Sequence, residues 1–170
     1  MSSMPDTWVE PTDRAAIIDV YNAYAEGIDS KNWEMVRNCF ADEVCIDYGD
    51  AHAAGGGPDD PRSADDWMQS LQSVINGFDF TRHTITNHRF ERDKDLVVCR
   101  AYLTADHVIL ANPEIPEATS EEVSTVVGEY TNTCKPTADG WKIVKSRLNM
   151  EWARGNTELF VIAMQRAAQA

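Results

Sequence analysis

Basic residues are scarce in this chain: 15 Lys and Arg stand against 28 Asp and Glu, for a formal net charge of −13. Such a field repels phosphate backbones and anionic lipid, so neither nucleic acid nor a membrane is expected as a partner. No apolar run approaches the roughly 20 residues of a membrane-spanning helix. Residues 1–11 hold no basic region followed by an apolar stretch, so no signal peptide is expected. None of the four cysteines (Cys39, Cys45, Cys99, Cys134) forms a CxxC pair, and each sits in an apolar or strand-like context. Buried free thiols in a reducing cytoplasm are therefore expected, and no disulfide framework.

Several catalytic signatures are missing as well. Gly55-Gly56-Gly57 is followed by Pro58, with no Lys-Ser or Lys-Thr, which disfavours a phosphate cradle. Neither Gly-x-Ser-x-Gly nor a Cys–His signature appears, which argues against acyl-enzyme chemistry. His83, Asp29 and Asp106 lack the tight spacing of metal ligands, so no metal is expected.

What is present fits one domain over residues 1–170, with 43% hydrophobic and 25% charged residues. Ala16, Ile17, Val20, Ala23, Tyr24 and Ile28 recur at helical spacing, with Thr12 or Asp13 as the expected cap. Ser30 is expected to cap a second helix holding Trp33, Val36, Arg37 and Phe40. Glu43 to Tyr48 alternates like a strand. Asp50 to Pro61 reads as a loop, either a mobile lid or a plain connector. A third helix begins at Ser63. From Phe80 onward the pattern turns to strands, over 80–90, 96–110, 122–135 and 141–152, with turns at Arg92-Asp93-Lys94-Asp95 and Thr137-Ala138-Asp139-Gly140. A short apolar-periodic tail around Leu159 to Met164 reads as a final helix. Helices first and antiparallel strands after predict an α+β fold, with N-terminal helices on a strongly curved sheet that encloses an apolar cavity.

Polar residues stand at positions where such a core should be apolar. Asp29 closes the first helical run, His83 lies inside one strand and Asp106 inside another. Ionisable groups in buried positions are costly unless paired, and a His meeting carboxylates in an apolar cavity makes a proton-transfer site. By strand alternation Tyr102, Thr104, Asp106 and Val108 share one face, and His83, Ile85, Asn87 and Arg89 share another. If both faces line one cavity, Asp29 can orient the His83 imidazole and Asp106 can approach it; otherwise these are ordinary structural polar residues. His107 has the opposite parity to Asp106, so only one of the two is expected to face the cavity. His52 and His88 read as loop and outer-face residues. Ala101, Leu103, Ala105 and Ile109 then form an apolar stripe on the outside, which is costly to leave exposed and predicts self-association.

The stretch from Tyr24 through Asp29 to Trp33, with Cys45-Ile46-Asp47-Tyr48, resembles scytalone dehydratase. The His83-x-x-x-Asn87 pattern, Gly128-Glu129-Tyr130 and Gly140-Trp141-Lys142-Ile143 resemble the wider SnoaL-like family, whose fold is the nuclear-transport-factor-2-like cone. The resemblance runs from about Arg14 to Trp152, and since lyases of this family form trimers through the outer face of the sheet, it implies a homotrimer, with a homodimer as the alternative. It implies that Asp29 and His83 form the base pair, that Tyr48 holds a water against a substrate carbonyl, and that Tyr24 and Asp106 match the catalytic Tyr and Asp of bile-acid 7-alpha-dehydratase. Ile28 departs from the scytalone dehydratase pattern, which has a Tyr there. Tyr102, Asn87 and Trp33 are expected to contact substrate. The expected activity is a cofactor-independent dehydration of a small, cyclic, largely apolar hydroxy-ketone or hydroxy-enone. The alternatives are an isomerase or cyclase using the same base, or a non-catalytic small subunit of a ring-hydroxylating oxygenase.

Overall fold

A computed structural model describes residues 7–49, 59–115 and 117–169. Residues 50–58 of the expected loop, with His52, lie outside the described residues. The helices are α1 (Pro11–Ser30), α2 (Trp33–Asn38), α3 (Ala64–Ile75) and α4 (Leu159–Ala167); the strands are β1 (Phe40–Asp47), β2 (Pro61–Ser63), β3 (Phe80–Asp93), β4 (Leu96–Val108), β5 (Val123–Thr137) and β6 (Gly140–Gly155). They form one six-stranded sheet in the order β2-β1-β6-β5-β4-β3, antiparallel except where β1 pairs with β6. The sheet is curled but not closed, and α1 and α3 pack on its concave face. The fold is the α+β cone that the order of elements predicts.

Local chemistry sets the helix ends. Pro11 opens α1, where its missing N–H costs nothing. Lys31 ends it in the left-handed region at φ 55°. Asn32, rather than Ser30, caps α2, its Oδ1 accepting the Met35 N–H at 3.1 Å. Phe40 leaves that helix and starts β1. Ser63 caps α3 through the Asp65 N–H at 3.1 Å. Helix α4 docks where Gly77 leaves room: a Cβ on Gly77 would come within 1.9 Å of the Ala163 carbonyl oxygen.

The register of β4 reverses one expectation. His83 pairs with Ala105, and Arg82 with Asp106. His83 therefore shares a face with Ala101, Leu103, Ala105 and His107, which are all buried, and Asp106 shares the opposite face with Arg82. A one-residue difference in register moves a whole strand's side chains to the other face. Leu103 and Ala105 line the cavity and Ala101 is buried in the core, so they are not an outer stripe, and Ile109 packs against the same core. The β3 alternation also breaks at a bulge between Thr86 and Arg89, where Asn87 adopts φ 57°. Past that bulge His88 turns inward and meets the Tyr21 ring at 5.0 Å, so it is not an outer-face residue.

Three of the four thiols, Cys39, Cys99 and Cys134, are free and buried, and Cys45 is half-buried and free. Burial pushes the Cys39 thiol up to about 12 and the Cys99 thiol up to about 11. They act as core residues and not as nucleophiles. No described helix is long and apolar enough to cross a membrane.

Candidate active site

Helix α1 delivers Asp29 to the sheet in its last turn. A carboxylate near a helix C-terminus meets an unfavourable dipole, so this placement needs donors to hold it. The structure provides three. Thr81 Oγ1 donates to Oδ1 at 2.9 Å, the His83 backbone N–H donates to Oδ2 at 2.9 Å, and His83 Nδ1 lies 2.7 Å from Oδ1. Both side chains of the pair are buried, at 6% exposure for His83 and 11% for Asp29. Burial by itself raises the Asp29 carboxyl, but the side-chain and backbone hydrogen bonds from His83, its charge and Thr81 outweigh it and hold the carboxyl below its usual range. With Asp29 ionised, Nδ1 is the donor, and in the neutral imidazole Nε2 carries the lone pair.

His83 helps line a small chamber of about 60 Å³ whose wall also includes Tyr24, Tyr130, His107, Leu103 and Ala105. A larger, mostly apolar cavity of about 510 Å³ lies beside it, lined by residues that include Trp67, Met150, Val161 and Met164. Tyr48, Leu71, Val74, Val126, Leu148 and Phe160 border both, so they form the neck between them. The inner chamber has room for only a few waters or one edge of a ring. The outer cavity is in the range of small-molecule sites.

Three buried phenols face the inner chamber. The Tyr24 and Tyr48 hydroxyls are 3.3 Å apart, and the Tyr130 ring packs against both, with centroids 6.0 Å and 6.1 Å away. Burial raises all three above the ordinary tyrosine range, so they remain neutral donors at any pH of interest. The His107 ring stands 5.6 Å from that of His83 and packs on Phe78 and Phe160. Its Nδ1 is directed at the Ser124 carbonyl, 3.4 Å away. Burial first, and then the charge of nearby His83, lower the His107 imidazole to about 4.

That depression makes His107 a source of acid sensitivity. The unfolded chain takes up a proton near 6.5, while the folded protein resists it down to about 4. The contribution to stability is complete above 6.5 and is lost as the pH falls from there to about 4. The difference corresponds to about 3 kcal/mol. Urea unfolding across this window should show that loss, and His107→Phe, which keeps the ring contacts, should flatten it. An unchanged slope in the variant would show that other groups carry the acid sensitivity.

The structure brings together Asp29, His83, Tyr24 and Tyr48 of the residues expected from the sequence. Four others stand elsewhere. Asp106 is on the outer face, where Thr125 Oγ1 donates to its Oδ1 at 2.6 Å, because the β4 register points the opposite parity inward. Tyr102 shares that outer face, 49% exposed, under the Arg89 guanidinium at 4.6 Å. Asn87 is exposed at the β3 bulge. Trp33 lies outside both chambers, its Nε1 donating to Asn76 Oδ1 at 3.1 Å, because α2 packs over the end of α3 rather than across the cavity. His107 takes the cavity-facing place for which it competed with Asp106, and Tyr130 takes up a chamber position for which no role was expected. Their signal was alternation with Gly128 and Val126 on β5 and with Leu103 and Ala105 on β4. Among the described residues, no group of three or more His, Cys, Asp or Glu side chains is arranged to hold a metal ion.

A curled, unclosed sheet with helices packed on it around an apolar cavity is the nuclear-transport-factor-2-like architecture. Within it, the chain belongs to the SnoaL-like domain family, whose profile matches residues 9–147. A comparison with curated proteins finds no match. Among solved structures the chain is similar to the Kfla4162 protein from Kribbella flavida, with 26% identity, a TM-score of 0.71, and 92% of this chain and 97% of that one covered. It is also similar to a proposed scytalone dehydratase from Novosphingobium aromaticivorans, at 16% identity and TM-score 0.65 over 85% of this chain and 92% of that one. A hexachlorocyclohexane dehydrochlorinase, LinA type 2, superposes at 17% identity and TM-score 0.66 over 85% and 88% of the two chains. The last two likenesses establish the shared fold.

Proposed function

We propose that this protein is a cofactor-independent lyase that dehydrates a cyclic, largely apolar hydroxy-ketone or hydroxy-enone of steroid or polyketide type. The observation that carries this reading is the 2.7 Å contact of Asp29 with His83, which stands in the wall of a chamber whose other polar side chains are three phenols and the His107 imidazole. The substrate body occupies the outer cavity and its oxygenated edge reaches through the neck. His83 Nε2 takes the acidic proton beside the carbonyl, and the C–H electron pair moves into an enolate. Tyr24 and Tyr48, with Tyr130 beside them, donate to the enolate oxygen. As the enolate collapses, the C–O bond to the β-hydroxyl breaks. The His83 imidazolium returns its proton to the departing oxygen, so that water leaves and a C=C bond remains. His83 thus serves as both base and acid, since Asp106 stands on the outer face of the sheet.

The same base serves an isomerase or cyclase, and product analysis separates these. Incubation with cyclic β-hydroxy-ketones followed by mass spectrometry should show loss of one water. A product of unchanged mass would move the reading to isomerisation. The non-catalytic alternative predicts an unbonded His83 and a cavity filled by side chains; the contact and the cavity volume both favour catalysis.

The protein is also proposed to work as a homotrimer, with a homodimer as the alternative, in the cytoplasm. The outer sheet face that supports assembly carries Tyr102 and Trp152, 49% and 50% exposed. Aromatic surface of this kind is costly to leave in water. Light scattering at micromolar concentration should return a multiple of 19.0 kDa, and the monomer mass would refute assembly.

A further inference from the structure

The polar row beside the phenols has no place in the mechanism above. Strands β5 and β6 set Asn132 opposite Ser146, one row along from the pair Tyr130 and Leu148. Both are 3% exposed. The row beyond them is apolar, with Cys134 opposite Ile143. Ser146 Oγ lies 3.2 Å from the Tyr48 hydroxyl, which in turn lies 3.3 Å from that of Tyr24. A hydroxyl placed this deep is unfavourable unless its hydrogen bond is used.

We propose that Ser146 is a positioning residue that orients the Tyr48 hydroxyl, so that Tyr48 and Tyr24 direct their protons at the substrate oxygen. The inference rests on the reading of those phenols as donors to an enolate. A phenolic O–H rotates about its C–O bond, and a Tyr48 proton pointing at Ser146 is lost to the chamber. When Ser146 donates to the Tyr48 oxygen, it blocks that orientation. It also polarises the Tyr48 O–H, because hydroxyls bonded in series strengthen one another. Ser146 does not touch the substrate; its effect passes through Tyr48.

An oxyanion probe tests this without knowledge of the substrate. At mildly alkaline pH 4-nitrophenolate is a coloured anion, whereas the raised tyrosines stay neutral donors. Its methyl ether, 4-nitroanisole, has the same ring and no oxyanion. Ser146→Ala should weaken 4-nitrophenolate binding about 3- to 10-fold, the range expected for one hydrogen bond, and shift its bound absorption towards that of the free anion. Binding of 4-nitroanisole should stay within about twofold, since the pocket shape is unchanged. Ser146→Thr, which keeps the hydroxyl, should behave as wild type. Equal losses for both probes would make Ser146 a structural residue only and overturn the proposal, as would no loss for either. If the wild-type protein itself fails to prefer 4-nitrophenolate to 4-nitroanisole, the phenols do not hold an oxyanion, and the proposal falls together with the roles given to Tyr24 and Tyr48. A normal wild-type preference with an unaltered Ser146→Ala variant overturns the Ser146 role alone.

Discussion

Replacing His83 by alanine is expected to lower turnover by roughly 100-fold or more while the fold persists. The expectation follows from position and state. The imidazole is 6% exposed, one nitrogen is committed to Asp29 at 2.7 Å, and no other described side chain of the inner chamber is both basic and backed by a carboxylate. His107 is no substitute, because a group lowered to about 4 is too weak a base and its Nδ1 is directed at the Ser124 carbonyl. The structural cost is limited. Asp29 loses its side-chain donor and keeps Thr81 and the His83 backbone N–H, so the variant should lose about 1–3 kcal/mol, less than the stability of an ordinary domain. Steady-state rates on a substrate found by the dehydration screen, with circular dichroism melting as the control, check both parts. A folded variant that retains more than about a tenth of the activity would remove His83 from the mechanism.

The second large effect is expected from Asp29→Asn. Here the shape is kept and the proton pattern is changed. An asparagine that turns its amide N–H₂ towards His83 Nδ1 favours the tautomer protonated on Nε2, which presents a proton to the substrate where a lone pair is needed. One that turns its oxygen towards Nδ1 keeps the tautomer but supplies no charge to stabilise the imidazolium. Either way the rate should fall by about 100- to 10,000-fold, the range that loss of a buried orienting carboxylate spans in comparable pairs. The binding of an inert analogue such as 4-nitroanisole should be unaffected. Stability should also change with pH in a defined direction. Asp29 is held below its ordinary 3.8, so it contributes stability above that value and loses it as the pH falls through the folded pKa. Asp29→Asn should abolish that part of the acid transition, and should leave the part between 6.5 and 4 that belongs to His107. Retention of full activity would show that Asp29 serves only to tie α1 to β3.

Much of this was legible in the order of residues. The helical periodicity of α1, the strand alternation after Phe80 and the turn residues between strands were enough for the α+β cone. Those signals are local, because they depend on neighbours three or four residues apart in a helix and two apart in a strand. Asp29 and His83 were legible too, since an acid at the end of an amphipathic helix and an imidazole within a strand contradict their surroundings. The face of β4 was not legible. Alternation gives two faces and leaves open which one is inward, and the pairing of His83 with Ala105 settles it through a long-range ladder. That single register removed Asp106 and Tyr102 from the chamber and admitted His107. The bulge at Asn87 was equally hidden, because one extra residue changes parity without changing composition.

By itself, then, the sequence determined the acidic surface, the helices and strands and the out-of-place polarity of Asp29 and His83, since each is written in composition or in short-range spacing. Only the tertiary structure decided which groups surround that pair. The meeting of Tyr24, Tyr48 and Tyr130 joins residues from α1, the end of β1 and β5, and the pairing of Tyr48 with Ser146 spans 98 positions. Contacts at that separation depend on how the sheet curls and registers, and no local pattern of side chains carries that information.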